Sequence, residues 1–367
     1  MNGGALKGAP VTEKERPPNI GEPTVSVIMP AYNAAHYLEK SLPPLVAMRD
    51  RGEILEVIVV DDCSPDPTNV ETAKRLGASV IVMEQNGGPG AARNHAAKIA
   101  KGDVLWLVDA DVVAHDDSVK VLKASFDDEK VAAVFGSYDA NPPARNFASQ
   151  YKNLVHRYYH QRGRQESDSF WSGCGAIRRA VYLELGGFDG ARYGRPSIED
   201  IEFGYRMRAA GWRIRLAPTM LATHLKRWTL TEVVRTDIFQ RAIPWSELIV
   251  SGRGMSDDLN VSTGERVKSV FAAFWILSLL CAALPHAWPY AFAGAAFMTL
   301  VVIVANRKLI RFFHENCGIG FTLSGVAFHQ LYYVYAAVTF VLVAIAFRLR
   351  RRAPHGGESG EERSAAA

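Results

Sequence analysis

Val104-Leu105-Trp106-Leu107-Val108 runs directly into Asp109-Ala110-Asp111. An unbroken apolar run that stops on acids reads as a strand buried on both faces, with its carboxyl end at a surface. The same design occurs upstream. Thr24–Pro30 is a short β-branched run closed by proline, Glu56–Val60 ends on Asp61-Asp62, and Ser79–Met83 is a further short run. Between them lie helical spacings. Leu38, Leu42, Leu45 and Met48 fall on one face of residues 33–50, a helix follows at about 67–76, and another at 91–100 opens after Gly87-Gly88-Pro89-Gly90. Strands alternating with helices predict βαβ units, hence an α/β fold with a mostly parallel sheet flanked by helices. In such sheets ligands bind outside the carboxyl ends of the strands, where both acidic clusters fall.

Downstream the pattern predicts a helix from about 117, a strand at 131–136, a helix at 145–165 and a strand-like run at Phe170–Ile177. Leu185–Asp189 reads as a loop, 197–211 as a helix opened by Ser-Ile-Glu-Asp, and Trp212–Ala217 as a last strand. Residues 229–250 set Leu230, Val234, Ile238, Trp245 and Ile249 against Arg235 and Arg241, with Pro244 interrupting. This fits a packed helix or one lying in a bilayer interface.

Composition changes sharply after that. Residues 269–306 and 316–347 contain no Asp, Glu, Lys or Arg. Such stretches predict membrane-spanning helices, which need roughly 20 apolar residues each. Two spans with Pro285 at their turn, and one at about 327–347 after a re-entrant or interfacial piece, give two to three in all. The basic groups Arg266/Lys268, Arg307/Lys308/Arg311 and Arg348–Arg352 all favour the cytoplasmic side, which three full spans cannot satisfy together. The predicted organisation is a tail at 1–22, a catalytic domain at 23–228, interfacial helices at 229–267, a transmembrane region at 268–350 and a tail at 351–367. The net charge of +4 owes much to the 348–352 cluster, and no basic stripe marks a nucleic-acid partner. Four cysteines without paired spacing fit a reducing compartment, so the soluble part is expected in the cytoplasm beneath a plasma or inner membrane.

The chemistry sits at the strand ends. Asp109 and Asp111 can hold Mg²⁺ or Mn²⁺, hard cations that bridge carboxylates to phosphates. Asp61 and Asp62 can accept hydrogen bonds from a base or ribose, or cap the following helix. Asn86–Asn94, Asn-Gly-Gly-Pro-Gly-Ala-Ala-Arg-Asn, is a glycine-rich turn opening a helix, suited to phosphate, with Arg93 adding a guanidinium.

Val25–Asn33, Val59–Ser64, Asn86–Asn94 and Val108–Asp111, in this order, resemble the family 2 inverting glycosyltransferases of the GT-A fold. The resemblance covers about 24–225. It implies that Pro30, Ala31 and Tyr32 line the nucleotide pocket. Asp62 and Asp61 would read the base, Arg93 would contact base or diphosphate, and Asp109 and Asp111 would hold ribose and metal. Glu199-Asp200 matches the family's Glu-Asp pair, with Asp200 as general base and Glu199 in support. A helix cap is the alternative for that pair, and a structural role is the alternative for His224, a candidate third metal ligand. Phe170–Gly175 looks like the acceptor loop, with Trp171, Gly173 and Cys174 on the acceptor side; core packing is its alternative. Cys63 stands where glycine is common.

The expected activity is therefore metal-dependent transfer of a sugar from a UDP- or GDP-sugar to a membrane-associated acceptor, a lipid among the candidates. A processive polysaccharide synthase is the nearest competitor. It would carry Gln-x-x-Arg-Trp near the membrane, and neither Gln240-Arg241 with Trp245 nor Lys226-Arg227-Trp228 matches cleanly. A sugar nucleotidyltransferase would need a different opening loop, and a non-catalytic scaffold would not need the acids at the strand ends.

Overall fold

The computed structural model describes residues 22–252, 257–284 and 289–352. Apart from residues 22, 351 and 352, the two expected tails lie outside these, as does the expected turn at Pro285.

The four apolar runs of the N-terminal half form β1 (Val25–Ala31), β2 (Glu56–Asp61), β3 (Ser79–Val82) and β4 (Val104–Val108). They pair in parallel in the order β3-β2-β1-β4. The helices α1 (Ala35–Asp50), α2 (Thr68–Arg75) and α3 (Gly88–Ile99) make the crossovers. Leu38, Leu42, Leu45 and Met48 of α1 are fully buried against one sheet face, with Val25, Val27, Met29, Val57 and Trp106. Ala92, Ala96 and Ala97 of α3 close the other face, where their small side chains let the helix lie near Ile28, Val60 and Leu105.

Beyond β4 the sheet is mixed rather than mostly parallel. The strands are β5 (Val112–Ala114), β6 (Val131–Tyr138), the two-residue β7 (Glu166–Ser167), β8 (Cys174–Arg178) and β9 (Arg213–His224). Four helices separate them: α4 (Ser118–Ala124), α5 (Phe147–Arg162), α6 (Arg179–Glu184) and α7 (Glu199–Ala209). Strand β8 inserts antiparallel between β4 and β6, while β6 and β9 are parallel. Strand β9 runs to His224, past the predicted end at Ala217. It crosses Pro218 by a bulge: Phe135 pairs with Leu216, but Ser137 with Leu221. The bulge absorbs the residue that cannot donate to the ladder. Gly136 is required opposite it, since a Cβ there would lie 2.0 Å from the Met220 carbonyl oxygen.

The predicted helix over 229–250 is divided. It forms α8 (Leu230–Arg235), a π-helix (Thr236–Ala242) and α9 (Ile243–Val250). Thr229 and Glu232 make a reciprocal capping box at its start. Pro244 follows directly on the π-helix, whose wide turn accommodates a residue with no N–H to donate, and the backbone stays helical through Ala242 and Ile243.

Three helices follow: α10 (Thr263–Ala282), α11 (Tyr290–Ala305) and α12 (Arg307–Arg352). Of the two to three expected spans, only α12 is long and apolar enough to cross a membrane, among the described residues. The α11 helix is apolar but has 16 residues. The α12 range holds two helical stretches that meet at Gly318, whose φ of 76° and ψ of −177° leave the helical region, so residues before 318 form a segment of their own and the expected piece before 327 straddles the break. The first stretch packs on the catalytic domain through Leu309 and Phe313, against Tyr151, Leu154 and Tyr158 of α5.

Candidate active site

Strand β5 is short, but its register places the site. Val112 pairs antiparallel with His224, and Leu225 N–H donates to the Asp111 carbonyl at 2.8 Å. The last residue of β9 thus stands beside the second acid of the Asp-x-Asp, with His224 Nε2 3.5 Å from Asp111 Oδ2. Burial pushes the Asp111 carboxyl up, but the His224 contact and charge, with help from Lys226, hold it below its ordinary value. Tyr138, at the end of β6, stacks on the His224 ring with centroids 4.6 Å apart and planes 9° apart. The imidazole is thereby fixed in orientation.

Asp109 has a different partner. Arg93 projects from α3, is 2% exposed, and its guanidinium is ion-paired with Asp109. Its Nη1 lies 3.6 Å from Glu199 Oε1 at the start of α7. Arg93 therefore links the Asp-x-Asp to the Glu-Asp pair, two motifs 90 residues apart in the chain. Its Nε and Nη1 lack hydrogen-bond partners within the protein, leaving donors for an anionic ligand. Glu199 is buried and accepts from Ser197 N–H at 2.9 Å. Burial, with Asp200 beside it, pushes its carboxyl up to about 7 against the pull of Arg93.

Asp200 faces the loop before β8. Its Oδ2 accepts from Ser172 N–H at 3.0 Å and from Ser172 Oγ at 3.1 Å. The loop is tied to the Asp-x-Asp as well, since Asp109 N–H donates to the Gly173 carbonyl at 3.2 Å. Gly204 in α7 allows this approach, because a Cβ there would meet Phe170 N at 2.7 Å. Of the three expected acceptor-side residues only Trp171 has exposed surface. Gly173 is buried, and Cys174 is fully buried in the core, its thiol pushed up to about 12 by burial. Cys174 is thus a core residue, and of this loop's expected acceptor-side residues Trp171 alone is partly exposed. Trp171 packs edge-on against Tyr138 and His156, with centroids 4.9 and 4.4 Å away.

The first acidic pair is held by its own surroundings. Asp61 is 2% exposed and accepts from Ser64 N–H, Ser64 Oγ and Asn69 Nδ2 at 3.0, 2.6 and 2.6 Å. Asp62 accepts from the backbone N–H groups of Gly87 and Gly88 at 2.9 and 2.8 Å, pinning the glycine turn to the end of β2. Pro30 and Ala31 are buried in β1, and Tyr32 is 51% exposed beside them. Cys63 has φ of 60°, the left-handed region in which glycine is unstrained.

Sequence reasoning missed Tyr138, His156 and Ser172 as site residues. Ser172 lay inside a quoted motif. Tyr138 and His156 carried no local signal, because only the sheet register and the packing of α5 bring them to His224 and Trp171.

Asp111 and His224 offer one oxygen and one nitrogen donor on adjacent strand ends, the donor types a divalent cation takes. Among the described residues no group of three or more His, Cys, Asp or Glu side chains is gathered to hold a metal, so Asp109, Asp111 and His224 do not form a three-ligand set.

Residues 26–186 match the Glycosyl transferase family 2 profile. A probable glycosyltransferase of Bacillus subtilis, YdaM, is 29% identical over 213 residues, covering 54% of this chain and 50% of its own. The O-antigen chain rhamnosyltransferase RfbN of Salmonella typhimurium is 27% identical, covering 69% of this chain and 83% of its own. The chain spans half or less of the first curated relatives it matches. Among solved structures, a mannosyltransferase of Pyrobaculum calidifontis in complex with GDP-Man and Mn²⁺ shares the fold. Its TM-score is 0.51 at 20% identity, over 88% of each chain. The matched profile spans the strand ends that carry Asp61, Asp62, Asp109 and Asp111 and the helix that carries Arg93, so residues 26–186 form a domain similar to the family 2 glycosyltransferases, and the fold is that of the Pyrobaculum enzyme.

Proposed function

We propose that the protein transfers a sugar, with inversion, from a nucleotide-sugar donor to an acceptor at a membrane surface. The observation that carries this reading is the Arg93 bridge. It joins Asp109 to Glu199, with Asp200 next in the chain and held by the loop that Asp109 also binds, and with Asp111 and His224 at the same strand end.

In this reading Asp200 takes the proton of an acceptor hydroxyl as its oxygen attacks the anomeric carbon. The bond from that carbon to the diphosphate breaks on the opposite face, and its electron pair leaves with the diphosphate. Ser172 holds the Asp200 carboxylate in place by two hydrogen bonds. Arg93 offers its unpaired N–H groups to the donor and keeps Asp109 oriented. Asp61 and Asp62 shape the base end of the pocket, with Pro30, Ala31 and Tyr32 along its wall. A divalent metal held by Asp111 and His224, with Asp109 nearby, would neutralise charge on the departing diphosphate. The relatives named above support the donor class, and the Pyrobaculum enzyme's GDP-Man and Mn²⁺ are consistent with it.

The membrane part rests on exposed apolar surface. Phe274, Leu277 and Leu280 of α10, Phe297 and Leu300 of α11, and Leu323, Val341 and Leu342 of α12 are each more than half exposed. Side chains of this kind on three adjacent helices would be costly in water. A bilayer is the environment that removes the cost, and it would keep the catalytic domain on the cytoplasmic face.

Calorimetry with UDP- and GDP-sugars, with and without Mn²⁺, tests the reading. Metal-dependent binding of one class is expected. If neither class binds with metal, the reading fails.

A further inference from the structure

Tyr138, the last residue of β6, is held from two sides. Its backbone is in register with Ala222 of β9, and its carbonyl accepts from Arg157 Nη1 of α5 at 2.8 Å. The residue is 8% exposed. Its ring is wedged among three others: the nearly parallel imidazole of His224 at 4.6 Å, the edge of Trp171 at 4.9 Å and the His156 ring at 4.4 Å. Packing of this kind leaves the phenol little freedom of direction.

The hydroxyl is set apart from those of other buried tyrosines. Tyr151, Tyr159, Tyr182, Tyr333 and Tyr335 each bond theirs to another side chain. The Tyr193 hydroxyl is sealed from solvent without a partner. The Tyr138 hydroxyl shares neither fate. It has no hydrogen-bond partner among the described residues, and it keeps some open surface. Its direction follows from its surroundings. After burial, the charges of Asp111 and then Asp109 do most to push the phenol well above its usual range. The hydroxyl thus faces the Asp-x-Asp, on the side of the site where His224 stands.

A phenol O–H so placed is a donor in want of an acceptor. Asp109 is ion-paired with Arg93, and Asp111 is set against His224. A cation on Asp111 and His224 would draw further on those carboxylate oxygens, and the oxygens it would bring with it are phosphoryl oxygens.

We propose that the Tyr138 hydroxyl donates a hydrogen bond to a diphosphate oxygen of the donor. This rests on the glycosyl-transfer reading and adds a contact that tells a diphosphate from a monophosphate. The phenol keeps its proton throughout. The bond it gives strengthens as negative charge gathers on the departing diphosphate. Ring and hydroxyl then have separate tasks: the ring orients His224, and the hydroxyl meets the leaving group.

The test uses the full chain in phosphatidylcholine nanodiscs, with wild type and Tyr138→Phe. The variant keeps the ring on His224 and loses only the hydroxyl. UDP, UMP, GDP and GMP are titrated by calorimetry at a series of Mn²⁺ concentrations. For the base that wild type binds, Tyr138→Phe should bind the diphosphate about tenfold more weakly, the equivalent of one hydrogen bond to a charged group. Monophosphate affinity should stay within about twofold, and the Mn²⁺ requirement should be unchanged. Circular dichroism confirms folding. A variant that binds the diphosphate as wild type does would overturn the contact. So would equal losses on diphosphate and monophosphate, since the hydroxyl would then serve the nucleoside end. Wild type that binds neither UDP nor GDP with Mn²⁺ would instead sink the glycosyl-transfer reading, and the contact with it.

Discussion

Two acid pairs end two parallel strands that flank β1, and in sequence they look alike. In the fold they differ. Asp61 and Asp62 spend their oxygens on neutral donors: Ser64, Asn69 and the N–H groups of Gly87 and Gly88. Asp109 and Asp111 instead meet a guanidinium and an imidazole, those of Arg93 and His224. The first pair holds the loops at the end of β2, while the second, in the proposed reading, faces the reacting groups. An acid whose lone pairs are filled by backbone shapes a loop. One set against a cation and an imidazole is available for chemistry.

The contrast can be broken most decisively at Asp111. Asp111→Ala should lower transfer by at least about a thousandfold, since several kcal/mol of charge stabilisation on the leaving group would go. It should also remove the Mn²⁺ dependence of nucleotide binding, with little change in melting temperature. Asp200→Asn comes next. It should cost about a hundred- to ten-thousandfold in kcat at nearly unchanged KM, as expected for a lost general base. Full activity in this variant would remove Asp200 from that role.

At the other pair the effect should be on stability. Asp62→Ala leaves the buried Gly88 N–H and the part-buried Gly87 N–H without their acceptor and should cost about 1–3 kcal/mol, read from denaturant unfolding of the full chain. If instead Asp62→Ala left stability intact, the division between wall and chemistry would be wrong. The smallest effect concerns Glu199. Its carboxyl rises from 4.5 unfolded to about 7 in the fold, so the folded state holds the proton more tightly. The stability this gives is full below pH 4.5 and is lost as pH rises towards 7. Glu199→Gln should flatten the stability profile across that window.

The parallel half of the fold was legible because each strand is a continuous apolar run, and each helix shows its buried face at regular spacing. The mixed half was less so. Strand β9 carries Pro218, which reads as a strand end, and only the bulge opposite Gly136 lets it continue to His224. The acids and Arg93 were legible as motifs; the ion pair joining Arg93 to Asp109 was not, because it is set by the docking of α3 on the sheet. Cys63 reads in sequence as a neutral exchange for glycine, but at φ 60° it occupies a backbone position that glycine fills without strain. The apolar C-terminal third was plain in composition. That its first part folds back on α5, through Leu309 and Phe313, depends on a kink at Gly318 that no hydropathy window reports.

The most direct test of the central claim is transfer itself. Membranes carrying the full chain are incubated with labelled UDP- and GDP-sugars and Mn²⁺, then extracted for lipid. Label from one nucleotide class should enter the membrane fraction with wild type and be absent with Asp111→Ala or chelator. Label that stays on nucleotide with wild type, or that moves equally with Asp111→Ala, would contradict the assignment of this site to glycosyl transfer.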